Sequence, residues 1–253
     1  MSDSPRTARV PSRPAVPYIA ATGELFNSKQ QIESSHTSEL VIALCGPIGS
    51  PIRAIGEALR EQLVRDFAYE ECNVIRLSQY IETHTESAKD LSALERVRHL
   101  ISHGDGLRMK YGASILAEFA ISQIALNRQR ERSSPDIEKF KARRVCHIID
   151  SIKNQEELET LELVYRDMLY FVGVYSPLPA RVRALEKIGM SQAGIYGLID
   201  QDSGEEFDHG QTVRDTFPQA DFFLRVDTDT DAQIAARVER FLHLILGTKV
   251  LTP

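Results

Sequence analysis

The chain has 253 residues, 42% of them hydrophobic, and a formal net charge of -6 at pH 7. This length can bury a full core and suits one α/β domain with a tail. No apolar segment is long enough to cross a membrane and no signal-peptide pattern opens the chain, which predicts a cytoplasmic protein. The acidic balance gives no general reason to bind nucleic acid. Three widely spaced cysteines, Cys45, Cys72 and Cys146, are typical of small core residues in a reducing compartment.

Residues 1–36 are rich in Ser, Pro, Thr and Arg without a sustained period, which predicts a flexible N-terminal tail. The remainder, 37–253, is expected to form one domain. Its five β-like runs alternate with helical stretches: ELVIALC at 39–45, NVIRLS at 73–78, VCHIID at 145–150, LYFVGVYS at 169–176 and DFFLRVD at 221–227. This alternation predicts an α/β fold of three layers with a mostly parallel five-stranded sheet. A long segment over 79–144, with helical patterns near 91–103 and 112–130, separates the second β-like run from the third.

The first β-like run is followed by the glycine-rich stretch GPIGSPIRA at 46–54 and then by an amphipathic pattern. A working phosphate-binding loop of a kinase places a lysine on the terminal phosphates and a hydroxyl on magnesium. Here Pro51 stands where a glycine is expected, Ile52 stands in the lysine position and Arg53 in the hydroxyl position. Because these replacements remove a backbone donor and the catalytic charges, we expect no phosphoryl transfer and assign no catalytic residue.

Anion binding survives these replacements better than catalysis does. Gly46, Gly49 and Ser50 still precede a helix N-terminus, whose free N–H groups favour phosphate, and Arg53 could supply the missing charge. Ser50 and Pro51 are also the residue types of an N-cap and a first helical turn. A purely structural strand-to-helix turn is the alternative interpretation.

Two further residues are candidates for the same nucleotide- or phosphate-binding site. Asp150 ends the third β-like run, where a second nucleotide-binding carboxylate would lie, or else it caps a helix that begins near Asn154. Arg108, with Asp105, belongs to a segment at 103–124 that resembles the base-side helices of nucleotide monophosphate kinases, which implies that these residues face a substrate; the alternative is an exposed turn between two helices. The polar segment 198–217 has the length of a kinase lid, but it is acidic and keeps one arginine, Arg214.

No metal site is predicted in this chain. The triplet His84-Thr85-Glu86 matches H-x-E, but the P-C-x-x-C that completes a deaminase zinc site is absent from the sequence. His147 lies inside an apolar run and is expected to be a buried histidine that has its hydrogen bonds satisfied.

Six ordered segments carry a family resemblance: ELVIALCGPIGS, NVIRLSQYI, HGDGLRMKYGASILAEFAI, HIIDSIKNQEELETLELVYRDMLYFVGVYSP, GQTVRDTFPQADFFLRVD and ERFLHLILG. Together they resemble the N-terminal P-loop kinase-like domain of anti-phage deoxycytidylate (dCTP/dCMP) deaminases, over about 39–253. The resemblance implies that residues 37–253 form a P-loop kinase-like domain with a degenerate nucleotide-binding loop. In that family a zinc deaminase domain follows, and it depletes deoxycytidine nucleotides during phage infection.

The resemblance implies a regulatory, nucleotide-sensing or interaction domain in antiviral defence. The expected partners are a deaminase domain in cis or in trans, a nucleotide ligand, further copies of the chain and a regulatory RNA, with no membrane. Zinc is expected in the deaminase domain, and no cofactor in this chain. The chain ends where that domain would begin, which leaves open a fragment or a stand-alone relative; Leu244 and the pair Val250-Leu251 are expected to meet a neighbour. The alternatives are an atypical (deoxy)nucleotide kinase and a non-binding oligomerisation module.

Overall fold

The computed structural model describes residues 39–85, 91–132, 144–202, 213–227 and 230–247. The predicted tail at 1–36 and the apolar pair at 250–251 lie outside these residues. None of the helices within the described ranges combines the length and the apolar character that crossing a membrane requires.

Five strands form one sheet in the order β2-β3-β1-β4-β5, and each neighbouring pair is parallel. They are β1 (Leu40–Cys45), β2 (Glu71–Arg76), β3 (Val145–Asp150), β4 (Leu169–Tyr175) and β5 (Phe222–Arg225). The predicted α/β class and the mostly parallel five-stranded sheet are therefore confirmed. The second run was misplaced, because the strand begins at Glu71 and the residues Leu77 and Ser78 already belong to a helix.

Nine α-helices connect and cover the described strands. They are α1 (Ile52–Asp66), α2 (Leu77–Thr83), α3 (Ala93–Tyr111), α4 (Ile115–Arg132), α5 (Gln155–Tyr165), α6 (Leu178–Lys187), α7 (Gln192–Asp202), α8 (Val213–Thr216) and α9 (Asp231–Ile245). Two short 3₁₀ turns, Arg166–Met168 and Phe217–Gln219, lead into β4 and β5. The helical patterns predicted near 91–103 and 112–130 are confirmed as α3 and α4, whereas α2 was not predicted.

The two faces of the central strand pack against different helices, because successive side chains of a strand point to opposite sides. Ile42 and Leu44 join the core that α1 and α9 cover. Val41, Ala43 and Cys45 join the core that α4 and α5 cover. Both faces of β1 are buried, as the uninterrupted apolar run LVIALC predicts for a parallel strand inside three layers.

A third, smaller apolar cluster joins α3, α6 and α7. Its buried members are Ile101, Leu185, Met190, Ile195, Leu198 and Ile199, and the half-buried Ile48 from the loop after β1 packs against them. This cluster fixes α6 and α7 beside the loop. It therefore decides which side chains can reach the loop backbone.

Candidate functional site

The loop between β1 and α1 is held in shape by its backbone and its glycines. The Ser50 N–H donates to the Pro47 carbonyl oxygen at 3.0 Å. Gly49 has a φ of 84°, in the left-handed region that favours glycine. A Cβ on Gly46 would lie 2.3 Å from the carbonyl oxygen of Val174 on β4. The glycines predicted from the sequence are thus required by the fold itself, whether or not a phosphate binds.

Helix α1 begins one residue later than the sequence suggested. Pro51 is its N-cap residue and makes no side-chain capping bond, so the prediction that Ser50 caps this helix is wrong. The turn that closes on Pro47 draws Ser50 into the loop, and its buried hydroxyl has no hydrogen-bond partner among the described atoms. Ile52, in the position of a kinase lysine, is buried in the core under α1.

A lysine nevertheless reaches the loop, from a different segment. Lys153 lies between β3 and α5, and its Nζ donates to the Gly46 carbonyl oxygen at 2.7 Å. The neighbouring Ile152 N–H donates to the Leu44 carbonyl oxygen at 2.8 Å, which holds this segment beside β1. The Lys153 side chain is 16% exposed. The loop therefore has a cation close to its backbone although its own sequence contains no lysine.

Asp202, the last residue of α7, binds both the loop and this lysine. Its Oδ1 lies 3.1 Å from Lys153 Nζ, and its Oδ2 accepts the Ile48 N–H at 2.5 Å. The residue is 2% exposed. The sequence had suggested an acidic, lid-like segment here, whereas the structure buries this carboxylate against the loop after β1.

Arg181, on α6, closes the other side of the loop. Its Nε donates to the Ile48 carbonyl oxygen at 2.7 Å, while its buried Nη2 has no hydrogen-bond partner among the described atoms. Burial lowers the pKa of Arg181, although the negative charge of Asp202 opposes this shift. The added Cβ of any residue replacing Gly49 would lie 2.9 Å from the Arg181 carbonyl oxygen, so α6 packs directly on the loop.

Asp150 lies at the same edge of the sheet, in register with Leu44 of β1 and Arg76 of β2. Burial raises the pKa of Asp150 above its ordinary value, and the charges of Arg76, Arg53 and Lys153 oppose that rise. The alternative that Asp150 caps α5 is wrong, because the cap is Asn154, whose side-chain oxygen accepts the Glu156 N–H at 2.9 Å.

Arg53 lies in the first turn of α1 with an exposed side chain. Its charge acts on Asp150, so the predicted residues Gly46, Gly49, Ser50, Arg53 and Asp150 all lie around one end of β1 and its neighbours. Exposure places Arg53 at the rim of this region, whereas Lys153 lies against the loop backbone.

Arg108 forms a buried ion pair. It is 2% exposed, so it does not lie in an exposed turn, and its Nε and Nη2 lie 2.9 and 2.7 Å from Oε1 of Glu157. Its Nη1 contacts Asp105 Oδ1 at 3.0 Å, and burial raises the pKa of Asp105. The predicted role on the base side of a nucleotide would require this ion pair to open.

The predicted lid divides into parts of different kinds. Asp200 and Asp202 belong to α7, and Arg214 is an exposed residue of α8. Residues 203–212, with the remaining acidic positions, lie outside the described part of the chain. Across the described ranges, no group of three or more His, Cys, Asp or Glu side chains could hold a metal ion. His147 is buried as predicted, but it is only partly satisfied: its Nε2 lies 3.1 Å from Glu39 while its Nδ1 lacks a partner among the described atoms.

The strand order, the glycine loop after β1 and the helix that follows define a three-layer α/β fold with a parallel five-stranded sheet. Among solved structures, the chain is similar to shikimate kinase from Bacteroides thetaiotaomicron, with 15% identity over 82% of this chain and 98% of that one, and a TM-score of 0.46. Shikimate kinase from Acinetobacter baumannii in complex with shikimate is also similar, with 14% identity over 87% of this chain and 99% of that one, and a TM-score of 0.45. Kti12 from Chaetomium thermophilum in complex with ADP-AlF3 has 12% identity over 81% of this chain and 98% of that one, and a TM-score of 0.40. No protein-family model matches the chain, and no curated protein matches it significantly.

Proposed function

We propose that this chain is a nucleotide-sensing domain, which binds the phosphates of a nucleotide at the loop after β1 without transferring them. The observation that carries the proposal is the position of Lys153, whose Nζ lies 2.7 Å from the Gly46 carbonyl oxygen. A lysine ammonium beside backbone N–H groups and the N-terminus of a 15-residue helix is the combination that attracts phosphate.

The same geometry argues against phosphoryl transfer. Ile52 buries an apolar side chain where a catalytic lysine would act, and Pro51 offers no N–H to a phosphate. Arg53 stands where a hydroxyl would hold magnesium, and its charge repels the metal. Transfer depends on the neutralisation of charge by lysine and magnesium at the terminal phosphates, so binding without turnover is the expected behaviour.

Titration of dCTP and ATP against the chain by calorimetry tests this proposal. We expect saturable binding that Lys153→Met weakens at least tenfold, because one charge-assisted contact is lost, a loss of about 1.4 kcal/mol or more. Arg53→Ala should weaken binding less, since that side chain is at the rim. Lys110→Met is the matched control, because it removes an exposed lysine of α3.

Equal affinities of wild type and Lys153→Met would remove this lysine from the site. Absence of binding in every protein would favour the non-binding oligomerisation module instead. Steady formation of a phosphorylated deoxynucleotide would favour the atypical nucleotide kinase.

We further propose that the domain regulates an antiviral dCTP/dCMP deaminase, which it contacts in cis or in trans. The support for this finer proposal is the resemblance of six ordered sequence segments to the domain that precedes the deaminase in that family. The deaminase partner would hold one zinc ion through H-x-E and P-C-x-x-C motifs, with the glutamate as general acid and base. A homo-oligomer and a regulatory RNA are the other proposed partners.

The genomic context and the activity of the locus test this second step. We expect a deaminase segment in the same reading frame or in an adjacent gene, and deoxyuridine nucleotides in infected cells that carry the locus. A stop codon after Pro253, no deaminase gene nearby and no deoxycytidine deamination would together contradict it.

A further inference from the structure

The carboxylate of Asp202 makes the contacts that a phosphate oxygen makes in a phosphate-binding loop. One of its oxygens accepts the backbone N–H of Ile48 at 2.5 Å, and the other lies 3.1 Å from the ammonium of Lys153. A backbone N–H and a lysine are the two kinds of donor with which such loops hold phosphate. An anion is therefore already bound at the loop, and it belongs to the chain itself.

Arg181 supplies a further cationic donor group beside the loop. Arg181 is 8% exposed and uses its Nε on the Ile48 carbonyl oxygen, but its buried Nη2 lacks a hydrogen-bond partner among the described atoms. Both oxygens of Asp202 are engaged by Ile48 and Lys153. A phosphate group brings additional acceptor oxygens and more negative charge, so it can satisfy a donor that the carboxylate leaves free.

Burial makes the two anions mutually exclusive. Asp202 is 2% exposed, and it is packed at the end of a helix whose Leu198 and Ile199 belong to the apolar cluster over the loop. A phosphate that used the Ile48 N–H and the Lys153 ammonium would need the volume and the donors that this side chain occupies.

We propose that Asp202 is an internal competitor at the anion site of the loop, and that a phosphate or pyrophosphate group binds by displacing it. This inference rests on the proposed function, because it assigns the regulation of the same site. The displaced carboxylate carries the C-terminal end of α7 away from the loop, which couples ligand binding to the position of that helix. The apparent affinity of the wild type is reduced by the fraction of molecules in which Asp202 holds the loop.

Removal of the charge at this position is the test. Inorganic pyrophosphate and ATP are titrated by calorimetry against the wild type, Asp202→Asn and the control Asp200→Asn, whose carboxylate is exposed two residues earlier on α7. We expect Asp202→Asn to bind pyrophosphate about tenfold more tightly or better, and the control to match the wild type. Equal affinities of all three proteins for pyrophosphate would overturn the inference while leaving nucleotide sensing intact.

A second measurement uses the wild type and does not depend on how well the variant folds. The amide resonance of Ile48 in a ¹H–¹⁵N spectrum should shift when pyrophosphate is added, because its acceptor changes, and residues at the end of α7 should shift with it. Pyrophosphate binding that leaves both sets of resonances unchanged would contradict displacement. Tight pyrophosphate binding by Asp202→Asn with no nucleotide binding by any protein would support the competitor and remove the proposed function. Absence of binding in all proteins would contradict both.

Discussion

The buried ion pair between Arg108 of α3 and Glu157 of α5 should contribute strongly to the stability of the folded chain. Arg108→Met removes a guanidinium that is 1% exposed and leaves the Glu157 carboxylate, at 0% exposure, without its two bonds of 2.7 and 2.9 Å. Breaking a buried pair from one side costs about 3–5 kcal/mol, because the remaining charge stays desolvated. For a domain of this size, that corresponds to a fall in Tm of about 6–20 °C.

Glu157→Gln, which neutralises the other partner, should lower the free energy of unfolding by less than Arg108→Met does. In Glu157→Gln the introduced amide oxygen can still accept the backbone N–H groups of Lys153 and Asn154, which the glutamate binds at 3.0 and 3.2 Å. Arg108 also keeps its contact with Asp105. We therefore expect a loss of about 1–3 kcal/mol.

Urea unfolding followed by circular dichroism measures both variants, and the double variant should lose less than the sum of the two single losses. Arg98→Met, which changes an exposed arginine of the same helix, is the control and should stay within about 0.5 kcal/mol of the wild type. A loss below about 1 kcal/mol in Arg108→Met would refute this reasoning, because only a solvated pair is worth so little.

Three other predictions follow from single contacts. Gly46→Ala should lower the unfolding free energy by about 2 kcal/mol or more, because its Cβ would meet the Val174 carbonyl oxygen at 2.3 Å. Gly106→Ala should raise it by about 0.5–1 kcal/mol, because the added Cβ on this helical residue would contact no other part of the described structure within 4 Å. Urea titration distinguishes the two variants, and equal effects would be contrary to this packing. Burial raises the pKa of Asp150 in the folded protein, so the stability that this residue contributes should fall as the pH rises above about 4. Asp150→Asn should therefore be more stable than the wild type at pH 7, and this gain should vanish near pH 3.5, where the aspartate is protonated. A gain independent of pH would count against the prediction. Magnesium-dependent ATPase activity should stay at background in a phosphate-release assay, and a steady release that Lys153→Met abolishes would show that the loop is catalytic.

The sheet could be predicted because its signals are local. LVIALC is an unbroken apolar run, and VCHIID is apolar except for His147 and the terminal Asp150. A strand that is buried on both faces needs little else to be recognised. The end of β2 was placed two residues late because Leu77 continues the apolar pattern while the backbone of Leu77 and Ser78 already belongs to α2. Periodicity over so few residues does not separate a strand from the first turn of a helix.

The chemistry of the site could be predicted only in part, because the side chains that decide it come from distant segments. Lys153 lies 107 residues after Gly46, and no sequence pattern near the loop indicates that it contacts the loop. The available signal was its position three residues after Asp150, which ends a strand adjacent to β1. Asp202 was placed in an acidic, lid-like segment because its neighbours are polar. The structure buries it because the apolar face of α7 packs over the loop.

The central claim, binding of nucleotide phosphates without their transfer, is tested most directly by ³¹P spectra of ATP and of dCTP. Each nucleotide is mixed with the chain and magnesium and followed for several hours. We expect the β- and γ-phosphate resonances to shift or broaden as protein is added, their integrals to stay constant, and Lys153→Met to require at least tenfold more protein for the same shift. Unchanged resonances at high protein concentration, or a growing signal of inorganic phosphate that depends on the chain, would contradict it.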